Sequence, residues 1–292
     1  MKGIVLAGGT GSRLWPSTRV TSKQLLPVFD KPMIYYPIST LMQSGIREIL
    51  IITTPRDRKT FEELLGDGSS LGVKFSFVIQ EQPKGIAEAY ILCSDLLDGE
   101  SSTLILGDNL FQGENLREAI GVHAIDKGCH IFVHEVANPK SYGVLEMDSK
   151  GIPISIEEKP EIPKSNLAIT GLYLFDSHVT EFVKRLSPSL RGELEITALM
   201  EEYMLCGNLK VNLMSAGSTW LDTGTPESLH DASSFVRVLE ERTGRKLGCP
   251  EEIAYRNKWM DKEMLKSKIF EYGRNSYARY LEAIINAPSE EI

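Results

Sequence analysis

Short apolar runs alternate with stretches of helical spacing through the first half of the chain. Lys2–Leu6, Ile49–Thr54, Lys74–Ile79 and Thr103–Leu106 are rich in Ile, Val, Leu and Phe and read as strands. Between them, Met33–Ser44 has apolar residues at helical spacing, with Pro32 before it and Gly45 after it. Arg58–Leu65 and Ile86–Leu97 repeat that pattern. Alternation of this kind predicts an α/β fold: a Rossmann-like mixed sheet, mostly parallel, flanked by helices. In such sheets ligands bind beyond the carboxyl ends of the strands. The glycine loop Gly8–Gly11 and the "GDN" at 107–109 both fall at that edge.

The middle of the chain is denser in strands. His130–Val136, Val144–Met147, Ile154–Glu157 and Ala168–Phe175 are separated by short loops and predict a β-rich extension suited to walling a second pocket. From Pro226 onward the spacing turns helical, as in "PESLHDASSFVRVLEERTG" and "YARYLEAII". The expected organisation is a core over residues 1–225, with parts at 1–110 and 111–225. A helical segment, 226–292, packs on that core or on another subunit.

Charge narrows the possible ligands. The 292 residues carry a net charge of −8, which argues against nucleic acid or an anionic membrane as partner. Locally the sign reverses: residues 1–31 hold Lys2, Arg13, Arg19, Lys23 and Lys31 against Asp30 alone, a balance of +4. A patch of that size suits a small anion. Lys2-Gly3 leads directly into a strand without a leader pattern, and no apolar run is long enough to span a bilayer. Cys93, Cys129, Cys206 and Cys249 form no C-x-x-C pair. These features together predict a cytoplasmic protein with reduced thiols.

The cationic patch surrounds a glycine loop, "GIVLAGGTGSRLWPSTRVTSKQLLPV". A Walker A loop would need Lys and Ser or Thr after Gly11, and a dinucleotide fingerprint would need a third glycine where Leu14 stands. Neither fits. What remains is a loop whose backbone N–H groups can surround an anion, with Arg13 inside it and Lys23 ten residues on. Taken alone, a surface β–α turn explains such a loop equally well.

The stretch "GGTGSRLWPSTRVTSKQLLPV" resembles the signature of the sugar-1-phosphate nucleotidylyltransferases, and Gln24 with "DKPMIYYP" resembles the glucose-1-phosphate thymidylyltransferases among them. Further pieces follow in the family's order: "QEQPKGIAEA", "GDN", "YGV", "EEKP", "ITGLY", "RGELEIT", "WLDTGT" and "CPEEIAYRN". Each is weak, but the ordered set spans nearly the whole chain and is specific.

That resemblance implies transfer of a thymidylyl group from dTTP to glucose 1-phosphate, giving dTDP-glucose and pyrophosphate. The place implied is the first step toward dTDP-deoxysugars of the rhamnose type, and the assembly a homotetramer. Catalysis would fall to Arg13, Lys23, Asp108, Lys159 and Asp222, with Asp108 and Asp222 holding Mg²⁺. The nucleotide would lie along Leu6, Gly8, Gly9, Gly11, Ser12, Arg13, Lys23 and Gln24, then Gln80, Pro83, Gly85 and Asp108. The sugar phosphate would meet Asn109, Tyr142, Gly143, Glu158, Lys159, Ile169, Gly171, Tyr173, Arg191 and Trp220. Such a reaction needs charge neutralisation and alignment, and no Ser–His–Asp constellation is required. The alternatives are a UTP-using or other hexose-1-phosphate enzyme, and a non-catalytic regulatory subunit. A regulatory subunit would be expected to lack the loop glycines, phosphate lysines or metal aspartates, all of which are present here.

Two departures from the family pattern stand out. The usual Q-P-x-P-x-G is Gln80-Glu81-Gln82-Pro83-Lys84-Gly85 here, so Gln82 is a second candidate amide and Lys84 replaces a usual acidic residue. In relatives an arginine in G-R-G-x-A-W is implicated in a regulatory nucleotide site; here that position is Ala216, and Gln112 and Arg117 replace the common Tyr and His after "GDN". Feedback through such a site is not expected. His130 and His134 read as strand residues rather than a metal pair, and Arg256–Trp259 as a short helical surface for packing or oligomer contact.

Overall fold

The computed structural model describes residues 1–113, 119–120 and 125–287. Its strands are β1 (Lys2–Ala7), β2 (Pro27–Val28), β3 (Lys31–Pro32), β4 (Glu48–Thr53), β5 (Lys74–Ile79), β6 (Ser102–Leu106) and β7 (Asn109–Gln112). They continue with β8 (Cys129–Glu135), β9 (Gly143–Met147), β10 (Pro153–Glu158), β11 (Leu167–Phe175), β12 (Leu209–Leu213) and β13 (Thr219–Asp222). The main sheet runs β10-β9-β11-β6-β1-β4-β5, with β8 on β11 and β12 on β8. The β6-β1-β4-β5 half is parallel, whereas β11 runs antiparallel to β6, β8 and β9. The expected mixed α/β fold is therefore present, and its antiparallel half is the strand-dense middle of the sequence.

Alternating side chains explain why the first strands are apolar throughout. Val5, Ile49, Ile51 and Ile105 point to one face of the sheet, and Ile4, Leu50, Ile52 and Leu104 point to the other. Both faces are covered, so both alternating sets are buried. The first face packs on the helix Tyr35–Gln43 and on Ile253, Ala254, Leu265 and Leu281 of the C-terminal helices. The second packs on Tyr90 and on Leu199, Met200 and Tyr203 of the helix Ile196–Leu205. The C-terminal helices thus pack on the core of their own chain.

Boundaries differ from expectation in small ways. The first helix begins at Tyr35, because Met33 and Ile34 spend their N–H groups on Leu26 and Gln24 carbonyls. The expected helix Ile86–Leu97 is two short pieces, Glu88–Leu92 and Ser94–Leu97, divided at Cys93. Ala87 is tied instead to the loop ahead of Ile196, through its N–H to the Leu194 carbonyl. His130 and His134 lie on β8, as expected. The helix Pro226–Thr243 begins with Thr225 and Ser228 capping reciprocally and ends at Gly244, φ 67°. No helix among the described residues is long and apolar enough to cross a membrane.

Candidate active site

The loop after β1 starts at a close contact. A Cβ on Gly8 would lie 2.2 Å from Oε1 of Gln80, so only glycine lets this amide sit against the loop. Gly11 has φ +63°, and its carbonyl accepts from the Thr18 hydroxyl at 2.6 Å. The turn Lys23–Leu25 then delivers Lys23 to Asp108, with which it forms an ion pair. Arg13 reaches across to the "LDTG" turn, its Nη2 2.7 Å from the place a Cβ on Gly224 would take.

Asp108 and Asp222 are brought together by two short strands. β7 and β13 pair antiparallel with Asp222 opposite Asn109, and Thr223 donates to the Asp108 carbonyl through its N–H at 3.1 Å and its hydroxyl at 2.8 Å. Burial pushes the Asp222 carboxyl up, and the nearby Asp108 charge adds to it, giving about 6 against Lys23 and Arg13. For Asp108 burial also pushes upward, but the Lys23 ammonium outweighs it and holds the carboxyl below the usual range. A buried and a half-buried carboxylate with so much mutual repulsion suit a divalent oxygen-seeking cation. Among the described residues no group of three or more His, Cys, Asp or Glu could hold a metal, so substrate oxygens or water would complete such a shell.

Beyond the carboxylates, a cavity of about 250 Å³ opens along Tyr142, Gly143, Glu158, Lys159, Ile169, Gly171, Tyr173 and Trp220. Asn109 braces this end. Its Oδ1 accepts from the Trp220 indole at 2.6 Å and the Gly171 N–H at 3.2 Å, and its Nδ2 donates to Asp108 at 3.1 Å. The Trp220 ring lies against Tyr142 with centroids 4.9 Å apart. Lys159 is held at φ +45°, a strained backbone for a side-chain-bearing residue, with its N–H on the Tyr142 carbonyl. Its ammonium lies 3.3 Å from Glu158, and Arg191 stands 3.7 Å from the same carboxylate.

The same cavity takes in Leu6, Gly9, Arg13, Lys23, Gln24, Asp108, Asn109 and Asp222. Gly8, Gly11, Ser12, Gln80, Pro83, Gly85 and Arg191 are not in its lining. Gln80 is nonetheless buried against Gly8, whereas Gln82 is exposed. Gly85, at φ +103°, packs on Leu194, where a Cβ would lie 2.3 Å from the carbonyl oxygen. Ile86, Leu106, Ser141, Ile196, Thr197 and Met200 also line the cavity and were not expected there. The i, i+3, i+4, i+7 spacing of Ile196, Leu199, Met200 and Tyr203 was the signal that could have found the helix carrying three of them. Ala216 sits in the turn before β13 and Gln112 ends β7, while Arg117 lies outside the described residues.

The glycine loop at the carboxyl ends of the parallel strands thus shares one cavity with a carboxylate pair and with Lys159 on the opposite wall, and the chain belongs to the nucleotidyl transferase family, whose model it matches over residues 2–238. A glucose-1-phosphate thymidylyltransferase of Neisseria meningitidis is 47% identical over 96% of this chain and 98% of its own length. One from Mycobacterium tuberculosis is 48% identical over 96% and 98%. Within the family, this chain stands with the glucose-1-phosphate thymidylyltransferases. A crystal structure from Bacillus anthracis, described as such an enzyme in complex with a sucrose, matches with TM-score 0.76 and 42% identity over 81% of this chain and 95% of its own. UDP-glucose pyrophosphorylase complexed with UDP-glucose matches with TM-score 0.72 and 25% identity over 82% and 98%.

Proposed function

We propose that this chain transfers a thymidylyl group from dTTP to α-D-glucose 1-phosphate, giving dTDP-glucose and pyrophosphate. The observation that carries the reading is the meeting of Arg13, Lys23, Asp108, Asp222 and Lys159 around one cavity. The thymidylyltransferase relatives, similar over nearly the whole chain, support the choice of substrates.

In this reading the triphosphate lies on the backbone of Leu6 to Ser12 with Arg13 and Lys23 on its oxygens, and the base lies toward Gln80, Pro83 and Gly85. Lys159 and Arg191 receive the sugar phosphate, and Glu158 accepts from the sugar hydroxyls. An oxygen of the sugar phosphate attacks the α-phosphorus in line, and the bond to the bridging oxygen breaks, leaving with its electron pair as pyrophosphate. No general base is needed, since a phosphate monoester is largely dianionic at neutral pH. Arg13 and Lys23 neutralise the charge that develops on the departing group. Asp108 and Asp222 would hold Mg²⁺, which when bound supplies electrostatic stabilisation to phosphate oxygens.

Residues 1–110 thus serve the nucleotide and 111–225 the sugar phosphate, and the C-terminal helices within 226–287 brace the core. The assembly is a homotetramer in the cytoplasm, and the reaction opens a route to dTDP-deoxysugars such as dTDP-rhamnose. Chromatographic analysis of products from equal dTTP and UTP with glucose 1-phosphate tests the substrate choice. Predominant dTDP-glucose supports it, and predominant UDP-glucose moves the enzyme to the uridylyl class.

A further inference from the structure

We infer that Glu88 is a positioning residue that sets the base specificity of the site by fixing the side-chain amide of Gln80. The inference rests on the reading that a nucleotide base lies toward Gln80.

Glu88 is the first residue of the helix Glu88–Leu92. Its Oε2 accepts from the Gln80 side-chain amide, Nε2, at 2.7 Å, and from the Lys84 backbone N–H at 3.2 Å. Gln80 itself is 3% exposed, and its backbone N–H donates to the Thr53 carbonyl at 2.8 Å, so the chain beneath the amide is fixed by β4. A glutamine amide can ordinarily turn over, exchanging donor for acceptor. Against a carboxylate it cannot, because a carboxylate only accepts and would repel the amide oxygen. The amide nitrogen therefore faces Glu88, and Oε1 faces the other way, onto the Gly8 position that starts the phosphate loop.

The orientation has a chemical consequence. An acceptor fixed toward the loop matches the N3–H of a thymine or uracil imide, while the second amide hydrogen remains for a flanking carbonyl. Cytosine offers the reverse pattern, an N3 acceptor beside an amino donor, and would need the amide turned over. Turning it would place Oε1 against the Glu88 carboxylate. Gln80 is the reading group, and Glu88 decides which edge it reads.

The test measures inhibition by dCTP against dTTP in the wild-type enzyme and in Glu88→Gln and Glu88→Met, both checked for folding by circular dichroism. Either variant frees the amide to turn. The expected result is a dCTP-to-dTTP affinity ratio about tenfold closer to one in both variants, the order expected when one fixed hydrogen-bond pattern is released. The KM for glucose 1-phosphate should stay unchanged. A merely structural role for Glu88, through the Lys84 loop, would weaken both nucleotides in parallel, and an unchanged ratio in both variants overturns the inference. A wild-type enzyme that binds dCTP as well as dTTP would instead overturn the placement of the base at Gln80, and the inference with it.

Discussion

Lys23 and Asp108 form a part-buried ion pair 85 residues apart in the chain, joining the turn Lys23–Leu25 to the carboxyl end of β6. The pair is part of the site rather than a remote brace, since both side chains line the cavity. Lys23→Met leaves Asp108 with its burial and without its main counter-charge, so the carboxyl should rise. Loss of one charge-stabilising group should lower kcat on the order of 10²-fold or more. Steady-state kinetics on the variant, with circular dichroism to confirm folding, checks it; a kcat within a factor of two of wild type would remove Lys23 from the chemistry.

Asp108→Asn and Asp222→Asn should each nearly abolish turnover, at a cost of several kcal/mol in transition-state stabilisation, in order of magnitude. Divalent-cation binding, followed by calorimetry in the presence of nucleotide, should weaken in both. Activity retained in both variants would sink the metal assignment.

Asn109 holds Trp220 and Gly171 from a nearly inaccessible position, 2% exposed. Asn109→Leu leaves the part-buried indole N–H and the buried Gly171 N–H without their acceptor, and the buried Gly171 group left unpaired costs about 1–3 kcal/mol. Urea denaturation should show the loss. It should be accompanied by a raised KM for the sugar phosphate, because Trp220 stands against Tyr142 in the same wall.

A four-charge cluster pins the C-terminal segment to the β2–β3 hairpin. Lys31 pairs with Asp30 at 2.7 Å and Glu240 at 2.8 Å, and Lys246 pairs with Asp30 and, at 3.0 Å, with Glu240. Burial pushes the Asp30 carboxyl up, but Lys31 and Lys246 outweigh it and hold it below its ordinary 3.8. A carboxyl lowered in the folded state stabilises that state above its unfolded value, and the gain is lost as pH falls through the folded one. Thermal unfolding of the wild type should therefore weaken more steeply below about pH 4 than that of Asp30→Asn. Identical acid profiles would contradict the coupling.

Much of this was legible in the chain, for physical reasons that vary by element. β1, β4 and β6 announce themselves because sheets covered on both faces need unbroken apolar strands. The glycine loop and the two aspartates were visible as residue types, and the ordered motifs supplied their roles. Their meeting is implied only by the resemblance, which gives both aspartates to one Mg²⁺; no spacing in the chain shows it. The meeting depends on β7 and β13, four residues each, in "NLFQ" and "TWLD", too short for any period to show and paired in a two-stranded sheet of their own. Residues 196–200 escape for a different reason: the motif "RGELEIT" stops at Thr197, and the apolar spacing of Ile196, Leu199, Met200 and Tyr203 runs on past it. The Gln80–Glu88 contact likewise joins a strand end to a helix start across an irregular loop, where spacing carries no geometry.

The most direct test of the account is pyrophosphate release with Mg²⁺ and dTTP, with and without glucose 1-phosphate. Release that depends on the sugar phosphate, and disappears in Asp108→Asn, is the predicted result. No sugar-dependent release from dTTP, by a folded protein that binds the nucleotide, would contradict it.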